Sequence, residues 1–198
     1  KRQLLVELLR ENEDKSVLIF ARTKHGADNI SRTLRHKGMR CEALHGDKSQ
    51  CQRQRALDDF KSGKSRIMVA TDIAARGIDI KELGMVINYD IPDVPETYVH
   101  RIGRTGRAGC AGIAYTFCTL DEHNIVKDIQ RLTGRKIDTV LYGDSDILLD
   151  LCDRYPVAWL RDPFGHRWRA HVRPSVSHGT GQVWPVTIAW DAVRFEEV

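Results

Sequence analysis

Five short apolar runs punctuate the first 140 residues: VLIFA at 17–21, CEALH at 41–45, RIMVAT at 66–71, MVINYD at 85–90 and GIAYTFC at 112–118. Continuous runs of this length predict strands buried on both faces. Between them, apolar positions recur at helical spacing. Residues 1–11 place Leu4, Leu5, Leu8 and Leu9 on one face; residues 27–37 do the same with Ala27, Ile30 and Leu34, and Gly38 is a natural stop. Residues 50–61 follow Ser49, which has Gln52 three positions on, the pattern of a capping box, and they end before Gly63. A last helix is predicted over 122–132 with Ile125, Val126, Ile129 and Leu132 inward. Strands and helices in alternation predict an α/β fold, a parallel sheet with helices on both faces. In such sheets ligands bind at the carboxyl ends of the strands, in the loops that follow.

Composition changes after about residue 142. All four tryptophans (Trp159, Trp168, Trp184, Trp190) lie beyond it, and no lysine follows Lys136. Pro- and Gly-punctuated stretches such as GQVWPVTIAW predict short strands there. We therefore expect two units, 1–142 and 143–198. Residues 1–142 carry 25 Lys+Arg against 19 Asp+Glu, and 143–198 carry 6 against 8, so the mild basic excess sits in the first unit. That permits nucleic-acid binding without requiring it. The longest apolar runs are strand-length, which predicts no membrane span and no membrane partner. Five scattered cysteines with no CxxC, and three tail histidines (166, 171, 178) off metal-ligand spacing, predict no disulfide framework and no metal site. A reducing, cytoplasmic location fits. No secretory leader opens the sequence, so nothing argues for secretion, and a first residue other than Met suggests a piece of a longer protein.

Four stretches carry candidate chemistry. In HRIGRTGRAG (100–109), arginines alternate with glycines every three residues. A guanidinium fork suits phosphate oxygens, and Arg104 and Arg107 on one helical turn would face the same target. Two such forks aimed at a transferring phosphoryl group would act as arginine fingers, worth ~10³–10⁵ in rate, or roughly 4–7 kcal/mol of barrier. An Arg-Gly turn that merely solvates a surface reads equally well from composition. In VATDIAARGIDI (69–80), a buried strand ends at Thr71-Asp72; Asp79 could accept from a ribose hydroxyl and Thr71 could contact a backbone phosphate, or Asp72 caps a helix and Asp79 shapes a turn. In the region of LHGDKSQCQRQR (44–55), Gly46 precedes a helix that opens with Gln50 and Arg53, whose N-terminal amides favour phosphate. In VLIFARTK (17–24), Phe20 closes a strand and Arg22, Thr23 and Lys24 line the next loop. In the last two stretches a solvated charged face is the plainer reading. GKS at 63–65 mimics a phosphate-binding loop but lacks the upstream glycine (position 58 is Asp58) and follows a helix instead of a strand, so it is rejected.

In this order and spacing, VLIFARTK, LHGDKSQCQRQR, VATDIAARGIDI and HRIGRTGRAG resemble the C-terminal RecA-like domain of a DEAD-box RNA helicase. The wording ARTKHGAD, HGDKSQ and DEHNIVKDIQRL is most similar to the bacterial RhlE-type branch. The resemblance covers about residues 1–140. It implies that Arg104 and Arg107 are fingers toward a γ-phosphate, that Asp79 contacts the ribose of ATP or helps set the nucleotide gap, and that Gly77 lets the backbone approach. It implies that His100 and Arg101 couple ATP closure to RNA, partly across the interdomain cleft, and that Phe20 packs under the arginine loop. Thr23, Gly46, Gln50, Arg53, Thr71 and Asp72 would line an RNA backbone groove, with little base specificity.

The family's ATP-binding loop, Asp-Glu-Ala-Asp box and adenine-reading glutamine motif are absent from this sequence. ATP, with magnesium held mainly elsewhere, would therefore need an N-terminal RecA-like domain of the same parent. The leading expectation is half of an ATP-dependent RNA helicase, inactive alone. A non-catalytic RNA-binding or regulatory module, or a DNA-directed relative, stays open. The tail does not match the basic extension expected after this domain. It reads as a small β-rich accessory module, a docking surface, or a segment without selected function.

Overall fold

The computed structural model describes residues 1–76, 78, 83–106, 112–119 and 122–142, and the strand segments 160–161, 167–168 and 186–193. The chain opens with α1 (Arg2–Glu11), then alternates: β1 (Val17–Phe20), α2 (Lys24–His36), β2 (Cys41–Leu44), α3 (Gln50–Lys61), β3 (Ile67–Ala70), α4 (Asp72–Ala75), β4 (Met85–Asn88), α5 (Pro95–Ile102), β5 (Gly112–Cys118) and α6 (His123–Thr133). Strands β1 to β5 are parallel in the order β2-β3-β1-β4-β5, in register Val17↔Ile67, Val17↔Met85 and Met85↔Ile113. Beyond β5 the sheet continues antiparallel through β9 (Val186–Val193) to β6 (Asp138–Tyr142), while β7 (Leu160–Arg161) pairs with β8 (Arg167–Trp168).

The apolar runs become strands because both their faces are covered. Alternate residues of β1 feed opposite cores: Val17 and Ile19 pack with α1 and α2, while Leu18 and Phe20 pack with α3 and α4. All four predicted inward leucines of α1 are buried. Helix α2 stops as its glycine predicts, with Gly38 at φ 80° and the Gly38 and Met39 amides donating back to Arg35 and Leu34. The capping box forms: Gln52 N donates to Ser49 Oγ at 3.3 Å, and Ser49 N donates to Gln52 Oε1 at 3.0 Å. One inward expectation fails. Leu132 is 49% exposed, because the buried stripe of α6 is narrower than its apolar pattern and runs only through Val126 and Ile129.

Topology positions the functional loops. From β1 the chain crosses to the β2 edge, and from β3 it crosses back over β1 to β4. The loops after β1, β2, β3 and β4 therefore all open at one end of the sheet, around the point where strand order reverses. In open α/β sheets this is where ligands are held.

Candidate functional site

At this end of the sheet, four elements converge on one buried guanidinium. Arg101, in the last turn of α5, is 4% exposed. Its Nε and Nη2 donate to the two carboxylate oxygens of Asp72 at 2.6 and 2.7 Å. Its Nη1 donates to Asn88 Oδ1 at 3.2 Å and to the Asp90 carbonyl at 2.7 Å. The fork lies over the Phe20 ring, 4.9 Å from its centroid. A guanidinium is buried at tolerable cost only when its donors are answered in this way. The ends of β1, β3 and β4 are thus fastened to α5 through a single side chain.

Arg104 follows in the turn after α5, not on a helical turn of its own. Its amide donates to the Arg101 carbonyl at 3.2 Å and its Nη1 donates to the Ile78 carbonyl at 3.2 Å, while the side chain stays partly exposed. Beside it, Thr105 Oγ1 donates to the Leu83 carbonyl, which fixes the far side of the turn. A cavity of about 270 Å³ opens here, lined by Phe20, Asp72, Arg76, Thr97, His100 and Arg104 among others. Three of these carry or can carry positive charge, and one acid, Asp72, is already spent on Arg101. The lining suits an anionic group.

The second set of residues lies across β3. Thr23 caps α2, its Oγ1 accepting from Gly26 N at 3.0 Å. Gly46 and Gln50 are exposed, and Arg53 is partly so, around the first turn of α3. Two ion pairs hold the β2–α3 loop against α2: Lys24 Nζ to Asp47 Oδ2 at 2.8 Å and Lys48 Nζ to Asp28 Oδ1 at 3.0 Å. His45, 2% exposed, brings its Nε2 to 3.1 Å from the same Asp28 oxygen, though not along a hydrogen-bonding line. Partial burial would raise the Asp28 carboxyl, but its contacts with His45 and Lys48 outweigh that and hold it below its usual value. The hydrogen bond from Lys24 lowers the Asp47 carboxyl in the same direction.

Thr71 and Asp72 join the two sets. The Thr71 amide donates to the Leu44 carbonyl at 3.2 Å, on the β2 side, and the next residue grips Arg101 on the β4 side. The structure thus gathers Thr23, Gly46, Gln50, Arg53 and Thr71 along one rim, and His100, Arg101 and Arg104 along the other. Two expectations change in detail. Asp72 gives both carboxylate oxygens to Arg101 instead of offering them to a nucleic-acid face. Arg101 spends its donors on Asp72, Asn88 and the Asp90 carbonyl within the domain. Gly77, Asp79 and Arg107 lie outside the described residues.

Sequence reasoning missed α5 as a helix, although Pro95 at its first position followed by Glu96 is a start signal. It also passed over Asp28, His45 and Asn88. Asp28 carried no signal, since an acid on an exposed-looking helix turn is indistinguishable from a solvated one. GKS at 63–65 lies after α3, at the opposite end of the sheet, and Lys64 pairs with Asp59 at 3.0 Å.

Residues 1–109 match the model of the helicase conserved C-terminal domain. The chain belongs to that family. DEAD-box ATP-dependent RNA helicase 20 of Oryza sativa subsp. japonica is 51% identical over 141 residues, 69% of this chain and 28% of that protein. Among solved structures, a DEAD-box protein from the hyperthermophile Methanococcus jannaschii is 41% identical with a TM-score of 0.64, over 68% of this chain and 37% of that one. S. cerevisiae Dbp5 L327V, bound to RNA and ADP BeF3, is 39% identical with a TM-score of 0.64, over 67% of this chain and 36% of that one. The chain spans 22–28% of the length of the plant helicases it matches, and what it shares with them is their C-terminal domain. The expected RhlE-type branch finds no support among these relatives and is not carried further.

Proposed function

We propose that this chain is the C-terminal half of an ATP-dependent RNA helicase. Its relatives carry that activity in their names, and its helicase C-terminal domain supports reading the same role here. The observation that carries the reading is Arg104. It is a partly exposed guanidinium, tethered by one carbonyl, beside Arg76 and His100 in a cationic cavity at the point where strand order reverses. Arg104, together with Arg107, would contribute charge stabilisation to phosphoryl transfer from ATP held on an N-terminal RecA-like domain of the parent protein, where magnesium would also bind. ATP would supply the phosphoanhydride; this chain's residues would bind, orient and neutralise. Gly77 and Asp79 would approach the nucleotide, and His100 would face the cleft.

The rim formed by Thr23, Gly46, Gln50, Arg53 and Thr71 would hold an RNA backbone. The bond network from Thr71 through Asp72 to Arg101 gives a path along which RNA on one rim can bias the arginine rim. The helicase unit would end near residue 142, with 143–198 as an accessory segment whose β9 extends the sheet between β5 and β6, in a cytoplasmic protein.

The test joins the chain to its N-terminal domain and measures RNA-stimulated ATP turnover, wild type beside Arg104→Ala. The expected result is a loss of roughly a thousandfold or more in turnover with ATP binding largely kept. Equal turnover in both would remove Arg104 from the reaction and favour a non-catalytic RNA-binding module.

A further inference from the structure

The cations on the proposed RNA rim are mostly paired already: Lys24 with Asp47, Lys48 with Asp28, Arg22 with Asp93 at 3.1 Å. A further run of unbalanced positive charge lies elsewhere. Residues 31–40, SRTLRHKGMR, carry four Lys+Arg and no acid. They form the last turns of α2 and the connection to β2, and Arg32, Arg35, Lys37 and Arg40 are all exposed. Arg35 is committed: its Nε donates to the Cys41 carbonyl at 2.8 Å and its Nη2 lies 3.6 Å from Glu42. Arg32, Lys37 and Arg40 have no carboxylate within ion-pair reach among the described residues. The patch borders a groove of about 430 Å³ whose lining includes Arg35, Arg40 and Lys64; its two acids, Glu42 and Asp59, are answered by Arg35 and by Lys64 at 3.0 Å.

From this uncompensated charge we infer a second RNA-binding surface, formed by Arg32, Lys37 and Arg40 at the amino end of the sheet, that takes the phosphate backbone without reading bases. Helix α2 has 13 residues, so the surface lies about 20 Å along the helix axis from Thr23. Basic residues in a last helical turn also complement the helix dipole, which accounts for Arg35 and His36. It does not account for Arg32, one turn earlier on the same face, or for Arg40, beyond the helix. The chemistry favours a nucleic acid over a protein or membrane. A protein-binding patch needs an apolar centre, and the large exposed apolar side chains of the described residues, Ile73, Val94, Val99 and Leu132, all lie on other elements. Guanidinium forks without an apolar anchor fit phosphates.

The inference rests on the reading of RNA as the polymer ligand, and the experiment separates the two. The probes are fluorescent oligouridylates. The short one has ~8 nucleotides, within the ~4–16 nucleotide footprint of single-strand-binding modules, and the long one is several times that length. Binding to the 198-residue chain is followed by anisotropy over a series of salt concentrations. The proteins are wild type, R32Q/K37Q/R40Q and Q50A/R53A, each checked for its fold by circular dichroism. The expected result for R32Q/K37Q/R40Q is roughly tenfold weaker binding of the long probe, with a salt slope reduced by about 2, since each lost single-strand phosphate contact removes ~0.7. Short-probe binding at the Gln50 rim stays unchanged in that variant and falls in Q50A/R53A. Unchanged long-probe affinity and slope in R32Q/K37Q/R40Q would overturn the second surface while leaving the rim intact. Loss in R32Q/K37Q/R40Q but not in Q50A/R53A would keep the second surface and remove RNA from the rim. Failure of the wild-type chain to bind either probe would overturn both.

Discussion

Arg101 shows how much one side chain can organise. Its donors reach Asp72 after β3 and Asn88 and the Asp90 carbonyl at the end of β4, and Phe20 supports its plane from β1. Removing one partner of a buried, hydrogen-bonded charge cluster costs about 3 kcal/mol, even with Asp72 36% exposed. Arg101→Ala is therefore expected to lower the urea midpoint by roughly 1.5 M. Arg101→Lys should rescue little of this, since one ammonium cannot span acceptors arranged for a fork. Full rescue by lysine would mean that charge alone matters there. Asp28 makes a prediction of opposite style, in pH. Its carboxyl is held lower in the folded protein than in the unfolded chain, near 3.9. The stability it contributes is present above that unfolded value and is lost as pH falls through the lower folded value. Wild-type stability should drop more steeply than that of Asp28→Asn between about pH 5 and pH 3. Denaturation curves at each pH would show this, and parallel curves would refute it. The effect is small because the side chain is 38% exposed.

At the scale of elements, the site depends on where helices begin. Helix α3 presents Gln50 and Arg53 because Ser49 and Gln52 cap each other's backbones and fix the first turn. Ser49→Ala should cost about 1 kcal/mol in stability. Amide exchange should rise first in the opening turn of α3, and an increase spread evenly over the sheet would contradict the cap as its cause. The Arg104 turn is constrained from the other side. A Cβ on Gly112, at the start of β5, would run into Thr105 Oγ1 and the Gly106 amide, so only glycine lets β5 pass this close behind the Arg104 turn.

At the scale of the molecule, the two rims belong to one end of a sheet whose strand order reverses between them. This is why the β1, β2, β3 and β4 loops can act together although they are dispersed along the chain. The arrangement contains no phosphate cradle of the G-x-x-x-x-G-K-[ST] kind. The unjoined chain is thus the baseline for the Arg104 measurement, with no ATP turnover expected above background. Charge is distributed at the same scale. Near the rim lysines it is paired off, and at the far end of α2 it is left uncompensated.

The sequence by itself determined strands β1 to β5 and most helices, because runs buried on both faces need continuous apolar residues and amphipathic helices need a 3.6 period. It also marked the candidate stretches, since the caps, glycines and arginine spacing are local. The tertiary structure alone decided which polar groups spend their charge on each other. Asp72 and Arg101 are 29 residues apart, and the Arg22 amide meets the Asp90 carboxylate across 68. Asp28, unremarkable on its helix, gathers His45 and Lys48 from another loop. Leu132 faces solvent despite its periodic position, because burial depends on what packs against a face as well as on the face itself. Such pairings follow from the chain crossing between sheet edges, and no window of sequence short enough to read for pattern contains both partners.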